Sequence, residues 1–216
     1  MKTYKSEFLD FVVKEKILQF GEFTLKSGRV SPYFFNAGLF NTGKRLSFLA
    51  TCYAAAIRSS SLNFCTLFGP AYKGIPLASS TALALATNHG LDKAYCFNRK
   101  ENKNHGEGGS IVGSKLAGDV LIIDDVITAG TAIKEAANII RENKANLSGV
   151  VVALDRQEKG NGSLSAIQEL EKAYEISIIN IINLQDIISF LEKSNNPNLQ
   201  THAKAVDAYR DRYGAS

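Results

Sequence analysis

The chain has 216 residues, 45% of them hydrophobic and 21% charged, the mixture of an ordinary soluble globular protein with one sizeable core. A formal charge of +4, from 25 basic and 21 acidic side chains, is too mild to argue for nucleic acid, and no apolar run reaches the length of a membrane span. Cys52, Cys65 and Cys96 lie in apolar or strand-like surroundings without metal-ligand spacing, so they read as buried, reduced thiols of a cytoplasmic protein.

The opening stretch "MKTYKSEFLDFVVKEKILQF" patterns as an amphipathic helix interrupted by charges, and it lacks the unbroken apolar segment of a secretory signal. Short strand-like pieces follow around the turn signal Lys26-Ser27-Gly28. A helix is expected near Lys44 to Ser59, and then the rhythm becomes regular. "FCTLFGP" reads as a strand, "GIPLASSTALALATNHG" as a helix closed by glycine, and "KAYCFNR" as a strand. After a glycine-rich charged segment comes a strand from Val120 and a helix from Ala132 onward. "LSGVVVALD", "SLSAIQELEKAY", "ISIINIIN" and "LQDIISFLEK" continue as strand, helix, strand and helix. Strands alternating with helices imply parallel crossovers and a sheet covered on both faces.

Ligands of open parallel sheets bind beyond the carboxyl ends of the strands. The strand from Phe64 runs into "GPAYKG", the Tyr95 strand into "RKENKNHGEGG", the Val120 strand into "DDVITAGT" and the Val150 strand into "DRQEKGNG". All four exits are expected on one edge. In the third, Asp124 and Asp125 sit where the strand leaves the core, and Thr128-Ala129-Gly130-Thr131 delivers the chain to a helix N-terminus. Such a terminus has unpaired N–H groups and partial positive charge, which suit a phosphate. Two carboxylates do not suit a phosphate, but they do suit sugar hydroxyls or a metal-bridged polyphosphate. An anion cradle beside an acidic pair reads as a site for a phosphorylated sugar.

The other exits add cations. Lys73 in the Gly69–Gly74 turn can hold the far end of a polyphosphate. Arg99, Lys100, Lys103 and His105 lie within seven residues, followed by Gly106, Gly108 and Gly109, the make-up of a lid whose charges neutralise a leaving phosphate. Arg156 can meet a carboxylate or carbonyl of a planar substrate through two parallel hydrogen bonds, and Phe34 and Phe35 can stack on its ring or pack in the core. "GLFNTGKR", Gly38 to Arg45, imitates the phosphate loop of nucleotide hydrolases. Arg45, however, stands where that loop needs a hydroxyl for magnesium.

With these residues assembled, the chain resembles the type I phosphoribosyltransferases, and within them the bacterial kind of orotate phosphoribosyltransferase family. "VLIIDDVITAGTA" looks like the superfamily motif for 5-phosphoribosyl pyrophosphate (PRPP). The narrower resemblance rests on "GEFTLKSGRVSPYFFNAGLFNTG", "LFGPAYKGIPLA", "CFNRKENKNHGEGG" and "VVALDRQEKG". Val30 stands where a basic residue is expected. The resemblance implies one α/β domain over residues 1–216, with a central, mainly parallel sheet flanked by helices and a small hood near residues 1–42. Asp124 and Asp125 would hold the ribose hydroxyls of PRPP, and Val126, Ile127, Thr128, Ala129, Gly130, Thr131 and Ala132 would form the rest of the loop around its 5′-phosphate. Tyr72 and Lys73 would hold the pyrophosphate, helped by Mg2+ that comes by way of the pyrophosphate, with no protein ligand assigned to it. Lys26 would lie near ribose and pyrophosphate, and Phe34, Phe35, Thr128 and Arg156 would meet orotate. Arg99, Lys100, Lys103 and His105 would form the lid, with Lys103, His105 and Asp125 as the catalytic candidates. A cytoplasmic homodimer sharing lid residues between subunits is implied, with no nucleic-acid or membrane partner. The competing readings are a phosphoribosyltransferase for another base and a PRPP-sensing regulator without catalysis.

Overall fold

A computed structural model describes residues 3–25, 27–101, 110–160 and 162–215. Lys26, Lys103, His105, Gly106, Gly108 and Gly109, singled out above, lie outside them.

Helix α1, Thr3–Lys14, leads to an antiparallel pair, β1 Leu18–Thr24 and β2 Val30–Phe35. The expected opening helix is thus shorter than its apolar pattern. Lys16 takes a left-handed φ of 56°, and the Ile17 amide bonds back to the Val12 carbonyl at 2.8 Å. That six-to-one bond is how a helix closes on a left-handed residue, and it frees Leu18 to Phe20 to pair with β2.

A short 3-10 turn, Ala37–Leu39, precedes α2, Gly43–Arg58. Then come β3 Thr66–Gly69, α3 Gly74–His89, β4 Ala94–Asn98, β5 Ile111–Gly113, β6 Asp119–Val126 and α4 Thr131–Glu142. β7 Asn146–Asp155, α5 Ala166–Tyr174, β8 Ser177–Asn183, α6 Leu184–Lys193 and α7 Pro197–Tyr213 complete the order. Two of these elements, β5 and α7, exceed the sequence expectation. β5 has only three residues, too few to show a period. α7 is strongly polar, with only Val206 and Tyr209 buried, so its apolar stripe is narrow.

The main sheet has the order β5-β4-β3-β6-β7-β8, all parallel except β5. Side chains alternate across it as strand geometry requires. Leu67, Leu121, Ile123, Val151 and Ala153 enter a large core with the hood, α1, α2, α3, α6 and α7. Phe68, Val120, Ile122, Val150 and Val152 enter a second core under α4 and α5. Cys52 and Cys96 are buried and free, as expected; Cys65 is free but exposed, because it stands just before β3, outside the alternating pattern.

The sheet order places the functional edge. From β3 the chain winds outward to β4, and it then returns to place β6 on the other side of β3. β3 and β6 therefore flank a point where the winding reverses, and a crevice opens beyond their carboxyl ends.

Candidate active site

β3 ends in Gly69 and the chain passes through Pro70, a cis Ala71–Tyr72 peptide and Lys73 into α3. The turn is tight enough that the backbones of Gly69 and Gly74 touch. A Cβ built on Gly74 would lie 2.6 Å from the Gly69 carbonyl carbon, and one on Gly69 would fall against the Gly74 carbonyl oxygen. Only glycine fits on either side. Asn98, the last residue of β4, accepts the Ala71 N–H at 2.9 Å and pins the turn. Asn98 carries no motif of its own in the sequence, and its one signal there is its place at a strand exit.

The turn presents Tyr72, 65% exposed, and Lys73. Lys100 from the next exit lies 5.2 Å over the Tyr72 ring. Lys73 Nζ reaches across to Asp125 Oδ2 at 2.7 Å, so two exits meet, and this hydrogen bond raises the lysine's pKa.

The acidic pair is held by its own backbone. Asp124 Oδ1 accepts the Asp125 N–H, and Asp125 Oδ1 accepts the Val126 N–H, each at 2.9 Å. The buried Tyr53 hydroxyl donates to the Asp124 carbonyl at 2.8 Å and fixes the strand end from below. Burial first, and the neighbouring Asp125 second, push the Asp124 carboxyl up to about 6. Asp124 therefore ionises reluctantly unless a donor or cation arrives.

After Val126, Ile127 is buried while Thr128 and Ala129 are exposed, and Gly130 turns the chain with φ 72°. A Cβ there would lie 3.0 Å from Leu170. α4 starts at Thr131 without a side-chain cap, and α3 likewise has none. By contrast, side chains of Thr42, Ser165, Asn183 and Asn196 cap α2, α5, α6 and α7. Among the helices whose starts are described, α2 to α7, the two left uncapped are the two that begin at the crevice. The start of α4 offers open N–H groups and partial positive charge suited to an anion, whereas α3 offers only its dipole, because the Gly74 and Ile75 N–H groups donate to the Pro70 and Tyr72 carbonyls and Pro76 has none.

Arg156 ends the neighbouring exit, under the hood. Its Nε donates to Glu158 Oε1 at 2.8 Å, its Nη2 donates to Ser31 Oγ at 3.2 Å, and the guanidinium lies 4.4 Å over the Tyr33 ring. β2 splits the predicted aromatic pair, as strand alternation dictates. Phe34 is on the outer face, stacked on Phe23 with ring centroids 5.6 Å apart. Phe35 turns into the core against Phe8 and Phe40, so its side chain packs there and leaves only its backbone to face a ligand. Ser31, Arg29 and Glu158, which surround Arg156, were not singled out from the sequence. Among the described residues no group of three or more His, Cys, Asp or Glu side chains is placed to hold a metal ion.

Residues 41–180 match the family model described as "Phosphoribosyl transferase domain". The orotate phosphoribosyltransferases of Vibrio cholerae serotype O1 and Pseudomonas putida are each 59% identical to this chain over 214 residues, covering 99% of it and 100% of the relative. Among solved structures, the crystal structure of Francisella tularensis orotate phosphoribosyltransferase superimposes with a TM-score of 0.87 at 42% identity, covering 97% of this chain and 100% of that one.

Proposed function

Because the chain belongs to the phosphoribosyl transferase family, and within it to the orotate phosphoribosyltransferases, we propose that the crevice between β3 and β6 is where it moves the 5-phosphoribosyl group from PRPP to orotate. The products are orotidine 5′-monophosphate and pyrophosphate, in a step of pyrimidine synthesis. One observation carries the placement: the acidic pair meets the open start of α4 and the Tyr72-Lys73 turn before α3 where the sheet winding reverses. A sugar carrying phosphate at one end and pyrophosphate at the other needs that combination.

The 5′-phosphate sits on the loop Val126–Ala132 at the start of α4, with Thr128 and Thr131 adding hydroxyls. Asp124 and Asp125 accept the ribose hydroxyls. Tyr72 and Lys73 take the pyrophosphate; in doing so Lys73 exchanges the Asp125 carboxylate for phosphate oxygen. Arg99 and Lys100 add charge, and Lys26 is assigned to the same role. Orotate lies under the hood, its carboxylate toward Arg156, beside Phe34, the Phe35 backbone and Thr128.

Magnesium is the expected cofactor, and the donor set suits it. The acidic pair supplies hard oxygen ligands, and one or two carboxylates with substrate phosphates and water is a common magnesium shell. When bound on the pyrophosphate, the ion stabilises charge on the departing group. The chain's own residues do the rest. They hold the anomeric carbon and orotate N1 in line, and their cations meet the charge that builds on pyrophosphate as its bond breaks. N1 then attacks the cationic ribose from the opposite face, and its proton leaves with the pyrophosphate. No covalent enzyme nucleophile is needed. Lys103 and His105 are assigned to the same charge stabilisation. The working form is a cytoplasmic homodimer sharing these residues between subunits. Leu83, 65% exposed on α3, and Tyr95, 40% exposed on β4, are apolar surface for such a contact.

The test is loss of orotate absorbance on mixing protein, PRPP and magnesium, with parallel reactions on uracil, hypoxanthine and nicotinate. Loss of orotate alone, dependent on both PRPP and magnesium, is expected. Reaction with another base and none with orotate would overturn the orotate assignment and leave the PRPP site standing.

A further inference from the structure

Around Arg156 the structure builds more than a recognition arginine needs. Glu158 Oε1 and Ser31 Oγ engage Nε and Nη2, while Nη1 donates no hydrogen bond among the described residues. The guanidinium is thus gripped on its Nε–Nη2 edge, and Nη1 keeps its hydrogen-bonding capacity. Arg156 and Glu158 side chains are only 13% and 14% exposed, so water screens their charges poorly and the local charge count matters.

That count involves a third residue. Arg29 Nη1 lies 3.6 Å from Glu158 Oε2, so one carboxylate stands between two guanidiniums. Arg156 with Glu158 alone would be a neutral pair, with little net attraction for an anionic base. Arg29 restores one positive charge to the cluster. It also holds the loop mechanically, because both its terminal nitrogens donate to the Lys159 carbonyl at 3.1 Å. The Arg29 guanidinium rests 5.1 Å over the Tyr213 ring.

The backbone bearing Glu158 is fixed from two further sides. Lys159 N–H donates to the Tyr213 carbonyl and Ala215 N–H donates to the Gln157 carbonyl, both at 2.8 Å, so the segment after α7 runs as a short antiparallel brace. Gln157, at φ 52°, accepts the Gln185 N–H at the start of α6 through its Oε1 at 3.1 Å. A loop clamped by the hood, by α6 and by the end of α7 has little freedom to reorient Arg156.

We infer that Glu158, braced by Arg29, is a positioning residue that aims Nη1 of Arg156 at the substrate carboxylate, and that the Arg29–Glu158–Arg156 cluster sets the preference for an acidic base. This rests on the orotate reading above. Glu158 acts through Arg156 without touching substrate; its loss leaves two cations that shared an anion to repel each other, and the misaimed guanidinium loses more affinity for the carboxylate than the added net charge returns.

Steady-state kinetics of Glu158→Gln, which keeps an oxygen acceptor for Arg156 but removes the charge, provides the test. The orotate KM is expected to rise about tenfold, a loss of about 1.4 kcal/mol, with the PRPP KM and kcat within about twofold of the parent. A merely structural role would move both KM values together or neither. An orotate KM within twofold of the parent, or equal rises for both substrates, would overturn the inference. Should Glu158→Gln fail to fold, Arg29→Gln decides by the same criteria. A parent protein that consumes no orotate would instead defeat the functional reading beneath it.

Discussion

Replacing Asp124 by asparagine should make the protein more stable and a worse enzyme. In the folded chain the Asp124 carboxyl is pushed from its ordinary 3.8 to about 6, by burial first and by Asp125 second. A folded pKa above the unfolded one means that the native state binds the proton more tightly. Stability from this group is complete below pH 3.8, falls as pH rises toward 6, and stays low above it. At about 1.4 kcal/mol per pH unit, the rise from 3.8 to about 6 corresponds to a penalty on the order of 3 kcal/mol at pH 8. An amide at this position would carry no charge and could still accept the Asp125 N–H through its carbonyl oxygen. Urea unfolding should therefore find Asp124→Asn more stable than the parent by up to about 3 kcal/mol at pH 8, and by roughly half of that at pH 5. In the same variant the PRPP KM should rise about 10- to 100-fold, as expected when a charge-assisted hydrogen bond worth about 1.5–3 kcal/mol is weakened. A variant no more stable than the parent at pH 8, or one whose gain is equal at the two pH values, would refute the reasoning.

Gly69→Ala forces a Cβ against the Gly74 carbonyl; a destabilisation of about 1–3 kcal/mol is expected, which calorimetry should show as a melting point lower by roughly 2–4 °C per kcal/mol. Lys73→Met removes an ion pair whose lysine side chain is 73% exposed, so thermal stability should barely move while the PRPP KM rises severalfold; a large stability loss would mean that the pair is structural. Lys103→Ala should lower kcat at saturating substrates more than any other lid substitution, and near-normal turnover would remove Lys103 from the mechanism.

The repeating strands and helices were legible because apolar runs such as Val120–Ile123 and Val150–Leu154 announce themselves over a few residues. The segment from Asp124 to Thr131 was legible for a similar reason, since acid pair, turn and helix start are contiguous. Legibility failed where chemistry is assembled across the chain. Arg156 and Ser31 are 125 positions apart, and Lys73 and Asp125 are 52 apart; no local pattern joins them. Strand order belongs to the same class, since it depends on which side of β3 the chain returns to. The Phe34–Phe35 pair was half legible: alternation says that two neighbours in a strand cannot share a face, and burial alone decides which of them faces inward.

The two ends of the described chain are packed together. Lys5 pairs with Asp186 at 2.6 Å, 181 positions away, and Tyr33 of the hood meets Tyr209 of α7 edge-on. Ribosomes add about 5–20 residues per second, so Lys5 emerges roughly 10–35 s before its partner exists. For that interval the faces of α1 and the hood that await α6 and α7 lie bare on the nascent chain. The hood therefore completes its packing only after α6 and α7 have been made, although its own residues are made long before.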